Sequence, residues 1–232
     1  MFDELLEKGL DELNLLSERN LSLLTHYIEE IELFNPAYGL VKVRDRRELI
    51  LKHILDSLAP FSILSSIFNQ AGKTPAIADV GSGAGLPGIP LAICMPDAEF
   101  TLIERMGRRA GFLLNTVAAL GLSRVRVEEK EMEQLAYTTT RFDLVVIRAF
   151  KPLDGKILKG LLSLLKPDGI LAAYKGRRLS IEEEMASLQD EADKGKAPPI
   201  GSWEFFPLKV PFLKEERHLL LVRKVKMQPL HL

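Results

Sequence analysis

The chain has 232 residues, with 47% hydrophobic, 27% charged and 7% aromatic side chains. That length and balance suit one globular domain with a sizeable core, and they exclude a disordered chain, a collagen and a disulfide scaffold. Lys and Arg number 31 against 32 Asp and Glu, a net charge of −1. This total excludes a strongly basic coat protein and, taken alone, argues against a generic nucleic-acid binder.

The N-terminus, Met1-Phe2-Asp3-Glu4-Leu5-Leu6-Glu7, is acidic and amphipathic, unlike a signal peptide. No uninterrupted apolar run approaches the roughly 18 residues that span a bilayer. These features predict a cytoplasmic protein. Leu5, Leu6, Leu10, Leu13 and Leu16, and then Leu21, Leu24, Ile28 and Ile31, recur at helical spacing. The turn formers Asn35-Pro36-Ala37-Tyr38-Gly39 are expected to break the second helix. A third helix is predicted from about Asp45, an N-cap with Glu48 three residues on, as in a capping box.

From residue 76 the period changes. Strands are predicted at Ala76–Val80, Phe100–Ile103, Val125–Val127, Phe142–Ile147 and Ile170–Tyr174, with helices over 87–95, 108–120 and 155–165. The single cysteine, Cys94, lies in the apolar run Ile89–Met95. It rules out an internal disulfide and a cysteine zinc site, and is expected to be an inert buried thiol. Such β-α alternation predicts a mostly parallel sheet covered by helices on both faces. A loop over Lys194–Gly201 precedes two further strands, near 203–210 and 217–225, expected to pair antiparallel across their short link. The organisation is therefore a helical N-terminal extension, 1–70, and a sheet unit, 71–232, in one compact body.

The chemistry concentrates in Ile77-Ala78-Asp79-Val80-Gly81-Ser82-Gly83-Ala84-Gly85-Leu86-Pro87-Gly88, which leaves a buried strand, turns on glycines and enters a helix. Gly81, Gly83 and Gly85 let the backbone adopt positive φ and pass close beneath a ligand. The loop stands at the carboxyl end of the first strand, where open α/β sheets bind ligands. The second strand ends in Glu104, a carboxylate suited to the two hydroxyls of a ribose, followed by Arg105 in the same cofactor set.

The spacing is G-x-G-x-G with Asp79 two residues upstream, unlike the dinucleotide fingerprint G-x-G-x-x-G. An acid here repels a pyrophosphate and suits a ligand with an ammonium or sulfonium group. The motif therefore favours S-adenosylmethionine over NAD. The competing reading is a tight strand–helix turn capped by an aspartate, with no ligand.

At these residues the chain resembles a known family, the RsmG (GidB) small-subunit (16S) rRNA guanine-N7 methyltransferases. The resemblance covers most of the chain, from about residue 34 to 225, beginning with Phe34-Asn35-Pro36-Ala37-Tyr38-Gly39-Leu40-Val41-Lys42-Val43-Arg44-Asp45. It continues through His53-Ile54-Leu55-Asp56-Ser57-Leu58 and the glycine loop with its continuation Leu86-Pro87-Gly88-Ile89-Pro90-Leu91. Further on come Phe142-Asp143-Leu144-Val145-Val146-Ile147-Arg148-Ala149-Phe150, Lys175-Gly176 and Glu216-Arg217-His218-Leu219.

The resemblance implies a Rossmann-like class I methyltransferase with a seven-stranded sheet whose last strand is antiparallel. It implies S-adenosylmethionine as cofactor and small-subunit rRNA or a ribosomal particle as partner; separately, a monomer away from membranes is expected. The family's cofactor contacts fall on Gly81, Leu86, Glu104, Arg148 and the segment Met132-Glu133, where this chain matches the family pattern only approximately.

Guanine N7 presents a lone pair and bears no proton, so such an enzyme works by proximity and orientation without a dedicated general base. None of His26, His53, His218 and His231 shows metal-ligand spacing or sits in a nucleophile elbow, and no metal is expected. Arg148, at the end of the fourth strand, is the expected positioning residue, with a salt bridge as its alternative. Arg44, His53, Phe150, Lys175 and Arg177 are the RNA-contact candidates, against packing or solvated roles for each. Local basic clusters at 42–52, 105–109 and 175–178 favour an RNA partner more than the total charge does. Two rivals remain: a methyltransferase on another RNA or a small molecule, and a non-catalytic RNA- or ribosome-binding protein of the same fold.

Overall fold

A computed structural model describes residues 2–68, 74–135, 141–148 and 152–225. Helix α1 (Phe2–Glu12) buries Leu6 and Leu10 completely. Helix α2 (Glu18–Tyr38) starts at Ser17, whose side chain accepts from the Asn20 N–H, and ends at Gly39 in the left-handed region, φ 59°. The break falls at the last of the expected turn formers: the helix runs through Pro36 to Tyr38 and stops at Gly39. A proline so near the end removes only one late helical hydrogen bond, and the stop comes where glycine frees positive φ.

The third helix begins as read. Asp45 accepts from the Glu48 N–H at 2.8 Å, and Glu48 reaches back to the Arg44 N–H at 2.9 Å. Helix α3 (Arg46–Leu49) then widens into a π-helical stretch, Ile50–Leu55, before α4 (Asp56–Leu58) and α5 (Phe61–Phe68). The π-helical stretch carries His53, and such bulges often accompany functional sites. By length and composition the run Arg46–Phe68 is apolar enough to cross a bilayer, although charged residues interrupt it as the sequence showed. Here its apolar side is part of the core: Leu49, Ile50, Ile54, Leu55, Leu58 and Leu64 are essentially inaccessible.

The strands are β1 (Ala76–Val80), β2 (Glu99–Ile103), β3 (Val125–Glu128), β4 (Phe142–Ile147), β5 (Leu165–Lys175), β6 (Ile200–Pro207) and β7 (His218–Lys224). They form one seven-stranded sheet in the order β3-β2-β1-β4-β5-β7-β6. Neighbours are parallel from β3 to β5, and β7 is antiparallel to both β5 and β6. The chain reverses its direction of travel across the sheet between β1 and β4, the switch point where open sheets leave a crevice at their carboxyl edge.

Helices α6 (Gly88–Cys94), α7 (Gly107–Ala119), α8 (Met132–Leu135), α9 (Gly155–Ser163) and α10 (Arg178–Asp193) complete the fold. Helix α9 ends before Leu165, which belongs to β5 rather than to the expected helix over 155–165. Strand alternation sorts the core into two layers. Ile77, Leu102, Leu144, Val146 and Leu221 face α1, α2, α6 and α7, whereas Ala78, Val145, Ile147, Leu171 and Leu220 face α9 and α10. The N-terminal helices thus share a core with the sheet, each fully buried leucine stabilising it by about 1.5–3 kcal/mol. The 70/71 boundary itself lies outside the described residues.

Candidate cofactor and RNA site

The glycine loop turns as its sequence demands, with φ of 74° at Gly81, 58° at Gly83 and 93° at Gly85. Gly81 and Ser82 donate their N–H groups to the Ile103 carbonyl, at 2.9 and 3.1 Å, fastening the loop to the end of β2. Leu86 is buried and its N–H returns to Ser82 O at 3.0 Å. Glu104 lies immediately past β2 and is 4% exposed. Its Oε2 accepts from the Gly83 N–H and its Oε1 from the Met106 N–H, both at 2.9 Å. Each oxygen keeps a lone pair, so the carboxylate both shapes the loop and retains acceptors for hydroxyl groups.

Asp79 is fully buried under that loop. Its Oδ2 accepts from the Gly88 N–H at 2.9 Å, and a Cβ at position 88 would come within 2.7 Å of that oxygen, so glycine is required there. Its Oδ1 has no hydrogen-bond partner among the described residues. Burial pushes this carboxyl up from its ordinary value to about 7, against the smaller opposing effects of the Gly88 N–H and the Arg148 charge. An orphaned acceptor beneath a glycine turn suits a ligand that brings positive charge and a ribose. These residues therefore fit S-adenosylmethionine.

Beside this pocket, the end of β4 meets the π-helical stretch. Arg148 donates through Nη1 to Asp56 Oδ2 at 3.1 Å and to the Lys52 carbonyl at 3.2 Å, and through Nη2 to His53 Nδ1 at 3.2 Å. A guanidinium only donates, so His53 Nδ1 is the acceptor and its proton sits on Nε2. Burial first, and the Arg148 charge second, hold this imidazole down to about 4, leaving it neutral at pH 7. Arg217 donates to the other Asp56 oxygen at 3.0 Å. Ser57 Oγ donates to the His53 carbonyl at 2.5 Å, and the Tyr174 hydroxyl to the Ser57 carbonyl at 2.7 Å, joining β5 to the same cluster. Arg148 therefore stands just past the end of β4 and is held there by a salt bridge, the alternative weighed for it.

The other candidates separate. Lys175 is not a free cation: it donates both oxygens' worth of contact to Glu184, at 2.6 and 2.9 Å, in a pair that is 13% and 11% exposed. This corrects its reading as a phosphate contact. Arg44 is exposed and pairs with Glu48 at 3.2 Å, whereas Arg177 is exposed. Arg105 lies on the surface, 3.8 Å from Glu131. Met132 opens α8 and packs against the α9–α10 side of the core. The Glu133 side chain and Phe150 lie outside the described residues.

Lys42 and Arg47 are exposed, and the Arg108 guanidinium stands 5.9 Å over the Tyr38 ring. That contact joins the start of α7 to the end of α2. Burial pushes the Cys94 thiol up to about 12, keeping it protonated and inert even though its surface is partly accessible.

Asp56 and Arg217 enter the sequence reading only within the segments that carry the resemblance, and none of Asp56, Arg217 and Tyr27 is a site candidate there. The Asp56-Ser57 pair inside an apolar helix was the available signal for the first, because a buried carboxylate needs a charged partner.

Comparison with known proteins agrees with this geometry. The chain is 40% identical over 205 residues to a ribosomal RNA small subunit methyltransferase G of Treponema pallidum, covering 87% of this chain and 84% of that one. It is 39% identical over 248 aligned residues to the protein of the same name from Treponema denticola, covering 95% and 94%. A SAM-dependent O-methyltransferase from Thermotoga maritima superposes with a TM-score of 0.53 at 15% identity, covering 87% of this chain and 72% of that one, which shows a shared fold. Residues 20–202 match the family model for rRNA small subunit methyltransferase G, and the chain belongs to that GidB family.

Proposed function

We propose that this protein transfers a methyl group from S-adenosylmethionine to N7 of a guanine in small-subunit rRNA, with the glycine loop and Glu104 holding the donor. The observation that carries the reading is the paired cradle at the carboxyl edge. Glu104 grips the loop through Gly83, and Asp79 leaves one buried oxygen unpartnered beneath it.

When bound, the cofactor supplies a methyl group already activated on a sulfonium, so the protein needs to orient two reactants rather than generate a nucleophile. Asp79 and Glu104 place negative charge and acceptors against a cationic, ribose-bearing ligand. Arg148, fixed by Asp56 and the Lys52 carbonyl, presents a rigid cation at the crevice. His53, neutral with its proton on Nε2, offers a hydrogen-bond donor and carries no acidic imidazolium proton that would protonate N7. The N7 lone pair must stay free to take the methyl group, so donors and cations belong at the neighbouring acceptor O6. Orientation of this kind contributes several kcal/mol to rate.

Lys42, Arg47 and Arg177 supply exposed positive charge for RNA phosphates, and Phe150 a ring for stacking on a base. A monomer acting in the cytoplasm, away from membranes, completes the reading. It is supported by the burial of the apolar face of Arg46–Phe68 within the protein's own core.

The test is labelled donor with small subunits from a strain lacking this activity, followed by borohydride–aniline cleavage to locate the product. A single cleaved guanine is expected. Label on a base amine, or on small molecules only, overturns the assignment. Donor binding without label on either naked rRNA or particles favours the non-catalytic rival.

A further inference from the structure

Tyr27 belongs to the N-terminal helical layer. It lies in the middle of α2, fully buried, and its hydroxyl donates to the Ala84 carbonyl at 2.7 Å. Ala84 is 3% exposed and sits between Gly83 and Gly85, whose positive φ angles define the cofactor turn. The loop is thus gripped from two sides. Glu104 takes the Gly83 N–H from the sheet side, and Tyr27 takes the next residue's carbonyl from the helical layer.

We infer that Tyr27 is a positioning residue for the donor, acting through the Ala84 carbonyl, so that the N-terminal helical layer is part of the cofactor-binding device. Three physical points support this. A carbonyl buried in a turn must be paired or it destabilises that turn. The two glycines beside it make the turn the most deformable backbone in the pocket, so an outside tether has the most to restrain there. The tyrosine ring is fully buried in the core that the N-terminal helices share with the sheet, so its hydroxyl is a fixed point. Burial also raises the phenol well above its ordinary value, keeping it a donor at any working pH.

The inference rests on the methyltransferase reading for its ligand but not for its first readout. Tyr27→Phe keeps the ring and removes only the hydroxyl. In the full-length protein without ligand, amide exchange over residues 81–86 should quicken selectively. Calorimetry should show S-adenosylmethionine and S-adenosylhomocysteine binding weakened about three- to thirty-fold. The donor KM should rise in step, while kcat at saturating donor and the KM for small subunits stay within about two-fold.

Ile28→Val is the packing control, lowering stability one helical position away without touching the loop. It should leave exchange over 81–86 and donor affinity unchanged. Unchanged donor affinity in Tyr27→Phe overturns the inference, as does equal weakening in Ile28→Val. If the unsubstituted protein binds neither ligand, the cofactor reading has failed, and the exchange result still tests the tether.

Discussion

Asp56 holds Arg148 on one carboxylate oxygen, at 3.1 Å, and leaves its other oxygen to Arg217 at 3.0 Å. Two cations, one just past β4 and one just before β7, thereby converge on one acid of the N-terminal helical layer, 9% exposed. Asp56→Asn should destabilise the protein by about 3–5 kcal/mol, because a buried guanidinium loses its counter-charge. It should also free Arg148 from its fixed orientation. Urea unfolding reads the first effect, and a fall in kcat/KM for small subunits with unchanged donor affinity reads the second.

Glu104 accepts two backbone N–H groups and retains lone pairs toward the pocket. Glu104→Ala should weaken donor binding by about 1–3 kcal/mol. Glu104→Gln should do less harm to hydroxyl contacts but should disturb Gly83 or Met106, since its amide nitrogen cannot accept. Isothermal calorimetry with both variants checks the ranking, and equal affinity for Glu104→Ala and the parent protein refutes the role.

The Asp79 carboxyl sits near 7 in the folded chain, raised by burial. The sign follows from proton counts: between its ordinary value near 4 and about 7 the folded state binds more protons, so stability falls as pH rises through that window. Asp79→Asn removes the cost of a buried charge and should stabilise the ligand-free protein by about 2–4 kcal/mol at pH 8. That gain should shrink toward pH 4. A cationic donor favours the ionised acid, so donor affinity of the parent protein should rise from pH 6 to 8 more steeply than that of the variant. Thermal melts and calorimetry across that range measure both.

Lys175 and Arg47 should behave oppositely. Lys175→Met breaks the pair with Glu184, costing about 1–3 kcal/mol by leaving a buried carboxylate without its cation. It should leave the salt dependence of rRNA binding unchanged. Arg47→Ala should barely alter stability, yet lower the magnitude of the log K against log salt slope by about one. Filter binding at several salt concentrations separates the two.

Much of this was legible because it is written locally. The strands β1, β2 and β4 show as short apolar runs. The glycine loop shows because positive φ at Gly81, Gly83 and Gly85 admits few other residues. Glu104 is legible from its position after β2. Helix α10 went unread because acids dominate it, although Ile181, Met185 and Leu188 recur at helical spacing and are its buried face. Lys175 was misjudged because Glu184, nine positions away on α10, neutralises it only after the chain folds back.

Near neighbours in the chain encode the alternation of strands and helices, the cofactor loop with its acid, and the family resemblance. The charge sum of −1 conceals which positives are exposed. Folding leaves Arg47 and Arg177 exposed while neutralising Lys175, and it makes Asp56 clamp two arginines. It alone decided that Tyr27, 57 residues from Ala84 in the chain, tethers the cofactor turn. The physical reason is common to these cases. A partner that completes a buried hydrogen bond or charge is chosen by distance in space, and no local pattern records it.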